Sequence, residues 1–430
     1  MTPVETRAEV ASAMTPVETR ADKARDAILG IGVVSLTFSV ALMGETGIVS
    51  VGMPVLAFGL LASTGRLWPG FVRRRHPLVF DLALLYLCCV ILSLFWSKNP
   101  LQAGWRVAMH VVGFVLWIYL VGAFATRGQA VVRRWALILA LSGVAMACHF
   151  LGNLLYLLLS GSIEQALVQR YSGGLMSLQW GASNTVAAAL IFPILGAMLL
   201  ATTHPRAWRL CVAMAAIMLL AIMATMSRNA LGSLLIAGAV YAALQRRLQA
   251  FVGAVAVFGA MAALFAWAIG GDAFDLVMDI RSGSSGYRDR LDLWRRGWGY
   301  LLQTFPKPIG FYGSMHRFEV SSHNFLFSYV IEIGAWGLAA FIGLVAASWR
   351  ELHRERRRII AAGAPVRPLD VCLAGFVAML VNISFEDPQY TQPYIIFFWV
   401  FLALALARSL APEQGQVATE SEPLPGQGTT

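Results

Sequence analysis

Charged residues are scarce in this chain: they make up 13% of its 430 residues, whereas hydrophobic residues make up 58%. A soluble protein of this length contains about a quarter charged residues, because its surface must be polar. This chain cannot cover a globule of its size with polar side chains. The composition therefore excludes an ordinary soluble protein and predicts that lipid surrounds most of the chain.

Cysteine is also rare, and all five cysteines lie inside apolar runs. Disulfide bonds of exported proteins form in polar loops, so we expect none here. No Cys/His spacing typical of a metal site is present, and the polar loops predicted to face outward contain no Asp-x-Asp motif. We therefore expect no bound metal and no cofactor.

The net charge of +10 does not indicate a nucleic-acid partner. Lys and Arg fall mainly in short gaps between apolar runs, which is how the topology of a membrane protein is set. Membrane lipids are therefore the expected surroundings, and a nucleic acid is not expected as a partner.

About twelve apolar runs have the composition of transmembrane helices, each of which needs roughly 20 mostly apolar residues. The sequence therefore predicts an all-α polytopic membrane protein with both termini on one side. The runs lie near residues 27–43, 47–64, 78–96, 105–125, 135–159, 182–202, 208–226, 229–245, 249–269, 324–348, 370–385 and 392–408.

Arginine clusters predict which loops face the cytoplasm, because short cytoplasmic loops of membrane proteins are enriched in Lys and Arg. With a cytoplasmic N-terminus, the opposite short gaps hold only Lys98, Arg170 and Arg228. Both termini are therefore expected in the cytoplasm. The cytoplasmic gaps then hold the clusters within residues 66–75, 127–134, 206–209, 246–247 and 350–367.

This topology divides the chain into five segments. The polar N-terminal tail contains MTPVETRA twice, from Met1 and from Met14, which we interpret as a duplicated start. The tail has no apolar core and is therefore not a signal peptide. The C-terminal tail is polar and is expected to be disordered. The segments are the tail 1–26, helices one to nine in 27–269, a large outer loop 270–322, helices ten to twelve in 323–410, and the tail 411–430.

The outer loop contains YRDRLDLWRRGWGYL, residues 287–301, whose periodicity predicts an amphipathic helix. Arg288, Asp292 and Arg295 share one face of it. Such a helix is typical of the membrane interface, with aromatic side chains toward lipid and arginines toward headgroups. It could serve as an anchor in which Arg288 pairs with Asp292, or it could bind an anion. The other face consists of Tyr287, Leu291, Trp294 and Trp298.

Arg228 is predicted at the outer start of a helix that Ser227 caps. A cation in the first turn of a helix opposes the helix dipole unless an anion joins it. The guanidinium and the free N–H groups together would form a phosphate site. The alternative is an arginine that only extends toward the interface.

His323, in SSHNFLFSYVIEIGAWGL, is predicted at the outer start of another helix, capped by Ser321 or Ser322. The positive end of the helix dipole disfavours an imidazolium, so a neutral imidazole is expected, which can act as a general base. Arg228, Arg288 and His323 reach the same outer face independently, and this convergence favours a site. The supporting candidates are Arg170, Arg290, Arg295, Asn324, Glu332 and Asp387.

With SRNALGSLL, YRDRLDLW and HNFLFSYVIEIGAWGL in this layout, the chain resembles the O-antigen ligase and polymerase superfamily. The resemblance implies a GT-C-like fold in the bacterial inner membrane, a periplasmic active site, and a glycan donor carried on undecaprenyl diphosphate. It also implies that Arg228 and Arg288 hold the diphosphate and that His323 is the general base. A lipid A–core hydroxyl is then the expected acceptor, in a metal-independent, inverting transfer.

Three other functions stay open at this point, one of which, a structural scaffold of an envelope complex, would leave the outer Arg and His residues without a role. A polymerase of the same superfamily would extend the glycan on its carrier, although the compact chain with one large loop favours a ligase. A transporter of lipid-linked glycan is the alternative from another class, and such proteins often show internal repeats and polar residues near the bilayer centre. The chain shows neither feature.

Overall fold

The computed structural model of the chain describes residues 18–41, 48–160, 183–225, 227–249, 251–253, 255–256, 259, 286–304, 308–313, 324–388 and 391–407. These residues are almost entirely helical, as the composition predicted. The exception is a short antiparallel ribbon of two strands, β1 (Ser39–Ala41) and β2 (Ile48–Ser50), in which Val40 pairs with Val49.

The helices are numbered in chain order within the part of the chain that the structure describes. They are α1 Arg20–Val34, α2 Gly52–Leu61, α3 Pro69–Arg75, α4 Pro77–Leu92, α5 Pro100–Arg127, α6 Gln129–Ser160, α7 Ser183–Thr203, α8 Trp208–Thr225, α9 Arg228–Leu244, α10 Gly286–Thr304, α11 Phe325–Glu332, α12 Gly334–Ala361, α13 Arg367–Ile383 and α14 Gln392–Ala405. Four short 3-10 turns connect some of them: Ser35–Thr37, Thr64–Arg66, Ser93–Trp96 and Pro205–Ala207.

Five helical segments among the described residues are long and apolar enough to cross a membrane. A sixth arises if Gly52–Leu61 and Thr64–Arg75, which meet at 67°, form one broken span. The helices α9 and α14 are apolar but shorter. This composition is compatible with a multi-pass membrane protein, whereas the count of twelve and the GT-C-like arrangement stay predictions. The five segments are Pro77–Trp96, Pro100–Arg127, Gln129–Tyr156, Asn184–Thr203 and Pro205–Thr225.

Two predicted spans are wrong near their shared boundary. The run 27–43 does not stay helical, because α1 ends at Val34 and the chain enters the ribbon, while the run 47–64 is helical only over Gly52–Leu61. Ser50 explains the change, since its hydroxyl donates to the carbonyl oxygens of Ser35 at 3.2 Å and Phe38 at 3.1 Å. Apolar runs with β-branched residues suit a strand as well as a helix, so hydrophobicity alone could not place this end.

A third predicted span, 324–348, is one helix in the sequence interpretation and two in the structure. Helix α11 ends at Glu332 and α12 begins at Gly334, whose φ of +78° is a left-handed conformation that glycine adopts without steric cost. Glycine inside an apolar run gives little sign of such a break. Of the predicted span 249–269, the structure describes only residues 249, 251–253, 255–256 and 259.

Aromatic side chains fill the core where α14 packs between α5 and α7. Trp399 of α14 is fully buried, with ring centroids 5.7 Å from Phe114 and 6.0 Å from Trp117 of α5. On its other side, Phe192 of α7 lies 5.4 Å from Phe401. Because each large ring buries much apolar surface, this helix holds its neighbours in fixed positions.

The end of the molecule that holds Arg127 and Arg134 contains a buried ionic network. The carboxylate of Asp26, fully buried, accepts from Arg127 at 2.9 and 3.1 Å, from Arg134 at 2.8 Å and from the Tyr119 hydroxyl at 2.9 Å. Arg134 also donates to both carboxylate oxygens of Glu18, and these hydrogen bonds lower the pKa of Glu18. The network joins the starts of α1 and α6 to the end of α5.

Contacts at the ends of helices place the other arginine clusters at the same end. Helix α1 runs from this network to the ribbon, where Ser50 N–H donates to the Gln392 side chain at 2.7 Å. Helix α14 therefore begins far from the network. It ends on the same side of the molecule as the network, beside Arg350 and Arg354. We call this the arginine-rich end. The gathering of arginines agrees with the predicted topology, while the side of a membrane that they face stays a prediction.

Asp26→Asn should destabilise the protein strongly, because it leaves two arginines without their buried carboxylate. The expected loss is about 3–5 kcal/mol of the free energy of unfolding. Asp81→Asn is the matched control: it breaks a 3.0 Å pair with Arg73 between largely exposed side chains and should cost about 0–1 kcal/mol. Thermal unfolding in one detergent compares the two, and equal midpoints for both variants would show that the network does not hold these helices together.

Candidate functional site

The start of α9 presents Arg228 as the sequence predicted. Ser227 is buried and caps the helix, its hydroxyl oxygen accepting from the N–H of Ala230 at 3.4 Å. Arg228 is the first residue of the helix, and its exposed side chain makes no hydrogen bond or ion pair with the described residues. A guanidinium beside the positive end of a helix dipole repels it, so this position favours an added anion.

Helix α13 lies antiparallel to α9, which places the end of α13 beside Arg228. The side-chain amide of Asn229 donates to the backbone oxygen of Asn382 at 2.9 Å. At the opposite end, Gln245 and Arg356 both donate to the buried carboxylate of Asp370. Two contacts at the two ends of one helix pair leave no freedom to reverse its direction.

Three buried side-chain atoms between these helices have no hydrogen-bond partner among the described residues. Both side-chain polar atoms of Asn382, which is fully buried, and the side-chain oxygen of Asn229 are unbonded. An unbonded buried polar group costs about 1–3 kcal/mol, so such groups are rare unless water or a ligand completes them. This position therefore has hydrogen-bonding capacity that the described residues do not use.

The start of α11 meets the segment that follows α13. The N–H of Phe325 donates to the backbone oxygen of Glu386 at 3.1 Å, and the Ser328 hydroxyl donates to the Asp387 carboxylate at 3.2 Å. Asn324 caps the helix, its side-chain oxygen accepting from Phe327 N–H at 2.9 Å. The prediction that Ser321 or Ser322 caps this helix is therefore wrong: an amide oxygen closer to the first turn takes that place.

Glu332 closes α11 and is fully buried, one residue before the break at Gly334. Its depth below the start of the helix agrees with the prediction from its sequence position. The backbone oxygen of the neighbouring Ile331 accepts from Ile309 N–H at 2.9 Å, which ties the segment 308–313 to this break.

Helix α10 covers residues 286–304, which confirms the predicted helix, and packs against α11. A methyl group at Gly297 would lie 2.5 Å from the Phe327 ring, so glycine permits this close approach. The packed face also includes the buried Leu293 and Leu301, whereas Trp298 is 55% exposed. Exposure of Trp298 agrees with the predicted lipid-facing stripe. The periodicity did not single out the packed face.

The supporting candidates differ in their surroundings. Arg295 is exposed and pairs with Asp292 at 3.2 Å, so this arginine stays apart from the polar groups at the ends of α9, α11 and α13. Asp387 and Asn324 do join them. Arg288 and Arg290 belong to α10, and their side chains are outside the part that the structure describes. His323 and Arg170 lie outside the described residues.

Arg106 is a basic residue beside the segment 308–313 that the sequence interpretation did not single out. Its guanidinium stacks on the Tyr312 ring, 3.6 Å from the centroid, and donates to the Gln102 carbonyl at 3.1 Å. The sequence interpretation placed Arg106 inside the run 105–125. Asn99-Pro100 was the available signal, because a capping Asn before a first-turn Pro starts the helix there and leaves Arg106 only two turns inside.

The contacts connect four helices into one polar cluster, which we call the Arg228 end. It consists of the start of α9, the end of α13 with Glu386 and Asp387, the start of α11, and α10 packed on α11. It combines a guanidinium that has no partner among the described residues and the N–H groups of a first helical turn with carboxylate and amide side chains. Among the described residues, no three His, Cys, Asp or Glu side chains are grouped to hold a metal ion.

Comparison of the chain with models of protein families and with curated proteins gives no match. The resemblance to the O-antigen ligase and polymerase superfamily therefore rests on the motifs quoted above alone.

Removal of the Ser227 hydroxyl should cost about 0.5–2 kcal/mol of the free energy of unfolding, because the first turn of α9 loses its cap. Ser384→Ala is the matched control, since that exposed hydroxyl donates only to the Leu380 carbonyl within its own helix end. The control should change the free energy by less than about 0.5 kcal/mol. Thermal unfolding compares Ser227→Ala with Ser384→Ala. Similar shifts of the unfolding midpoint in both variants would contradict the cap.

Proposed function

We propose that this protein is an O-antigen ligase of the bacterial inner membrane. It transfers a glycan from undecaprenyl diphosphate to a hydroxyl of lipid A–core at the periplasmic face, without a metal ion or cofactor. The observation that carries the proposal is the Arg228 end. There an arginine at a helix start and the buried side chain of Asn382 have no partner among the described residues, and the end includes α10, which bears Arg288, and the start of α11, which follows His323 in the chain.

The donor chemistry suits the groups at this end. A diphosphate is a good leaving group that needs stabilisation of its negative charge more than it needs an acid. Arg228 and the N–H groups of the first turn of α9 supply the positive charge that stabilises it. Arg288 of α10 is the second proposed diphosphate ligand. The carboxylates of Glu386 and Asp387 line the same end and bind hydroxyl groups of the acceptor sugar.

The acceptor chemistry requires a base. A sugar hydroxyl is a poor nucleophile until its proton is removed, and His323 is the proposed general base. Asn324, the residue after it, caps α11, and the N–H of the next residue, Phe325, donates to the backbone oxygen of Glu386. The oxygen freed of its proton attacks the anomeric carbon opposite the departing diphosphate, which inverts the configuration there.

Reconstitution in detergent tests the reaction. Purified protein, undecaprenyl-diphosphate glycan and lipid A–core are mixed, and the lipid products are separated. Glycan attached to lipid A–core supports the ligase. Longer glycan that remains on the carrier would contradict it in favour of the polymerase, and the absence of both products would contradict a transferase. Added chelator should leave the rate unchanged, and strong inhibition would overturn the metal-independent mechanism.

Arg228→Gln should lower transfer about ten- to hundredfold, because a hydrogen bond to a charged group contributes about 1.5–3 kcal/mol. Arg228→Lys should keep part of the activity. Arg209→Gln is the matched control: this exposed arginine begins α8 at the opposite end and should leave transfer unchanged. Equal losses in Arg228→Gln and Arg209→Gln would show that the net charge matters and the position does not.

His323→Ala should lower transfer by about 10²–10⁴-fold, the usual contribution of a general base. The variant should still insert in the membrane and unfold at the wild-type temperature, which separates a chemical defect from a folding defect. Full activity of a folded His323→Ala protein would remove this residue from the mechanism while leaving the role of Arg228 open to its own test.

A further inference from the structure

A second polar crevice lies at the arginine-rich end, opposite the candidate site. Its volume is about 280 Å³, and it opens where α4 begins, between the last turns of α14 and the middle of α12. The proposed transfer uses none of its residues. The crevice has a basic rim of Arg75, Arg350 and Arg354 and an apolar wall that includes Leu78 and Leu406.

His76 lines this crevice and has one unused ring nitrogen. The side chain is only 1% exposed, and Nδ1 forms a short contact with the Glu351 carboxylate, so Nδ1 carries the proton of that hydrogen bond. Nε2 is buried and has no partner among the described residues. Because the proton is on Nδ1, Nε2 is a hydrogen-bond acceptor. Leaving it unbonded costs about 1–3 kcal/mol, which a hydroxyl group of a bound ligand would recover by donating to it.

The charges around His76 favour an anion as that ligand. Arg350 and Arg354 are exposed, and neither forms an ion pair with the described residues. Pro77 opens α4, so the N–H groups of the first turn, at Leu78 and Val79, have no intrahelical acceptor and form the positive end of the dipole.

Two carboxylates also line the crevice, and each has a basic neighbour of its own. Glu351 contacts His76, and Glu355 lies 3.6 Å from Arg358. Their charges are therefore partly balanced before a ligand binds. The two rim arginines of α12 keep their charge available to a ligand.

We propose that the crevice binds a ligand that carries a phosphate and a hydroxyl group: the phosphate oxygens accept from Arg350 and Arg354, and the hydroxyl donates to Nε2 of His76. The apolar wall of Leu78 and Leu406 favours a phosphate carried by a lipid, because acyl chains would cover these side chains while the headgroup meets the basic rim. The shared chemistry is a phosphate with a hydroxyl group, which phosphatidylglycerol or free hydrogen phosphate can supply.

Lipid binding to the purified full chain tests the proposal. Delipidated protein in detergent is titrated with phosphatidylglycerol and followed by native mass spectrometry, and inorganic phosphate is added separately while thermal unfolding is recorded. Arg354→Gln should weaken binding about fivefold, since one arginine near an anionic headgroup contributes about 1 kcal/mol. Arg357→Gln, an exposed arginine less than a turn further on the same helix and outside the crevice, should leave the affinity unchanged.

The outcomes separate the two sources and the alternative of plain surface charge. Phosphatidylglycerol binding that depends on Arg354 supports a lipid site, and stabilisation by inorganic phosphate with the same dependence supports a free-phosphate site. Equal affinities of the two variants, or no binding of either probe by the wild type, would overturn the proposal. His76→Asn adds a second test, because it keeps a donor for Glu351 and removes Nε2; it should weaken binding if the variant folds.

Discussion

The antiparallel pairing of α9 with α13 is the contact on which the candidate site depends. Asn229 and Asn382 fix one end of the pair, and Gln245, Arg356 and Asp370 fix the other. Between residues of apolar helices there is little directional force, since lipid is as apolar as the helix surfaces themselves. The polar contacts at the two ends therefore set the direction of α9 and place Arg228 beside the end of α13, whose following segment meets the start of α11.

The two ends of the molecule treat polar groups in opposite ways. At the arginine-rich end, the carboxylate of Asp26 accepts from Arg127, Arg134 and Tyr119, and the result is a closed network that ties three helices together. At the Arg228 end, the buried side-chain amide of Asn382 has no hydrogen-bond partner among the described residues, and Arg228 is exposed. Closed networks stabilise a fold, whereas open hydrogen-bonding capacity beside a helix start suits the binding of a charged ligand.

Part of this arrangement follows from the sequence. A serine before an arginine at the edge of an apolar run is enough to predict the cap at Ser227, and helical spacing of aromatic residues predicts α10. The Asn229–Asn382 hydrogen bond joins residues 153 positions apart, and no local sequence pattern predicts such a partner. The break at Gly334 and the ribbon at Ser50 were missed for a similar reason: glycine and serine inside apolar runs look like ordinary helix residues until tertiary contacts select another conformation.

The central claim is that Arg228 and His323 share one cavity with a diphosphate. An electron cryo-microscopy map of the protein with undecaprenyl diphosphate bound tests it most directly. The account predicts a phosphate oxygen about 3 Å from the Arg228 guanidinium, at the start of α9, with His323 lining the same cavity. A diphosphate bound elsewhere, or Arg228 and His323 facing separate cavities, would contradict it.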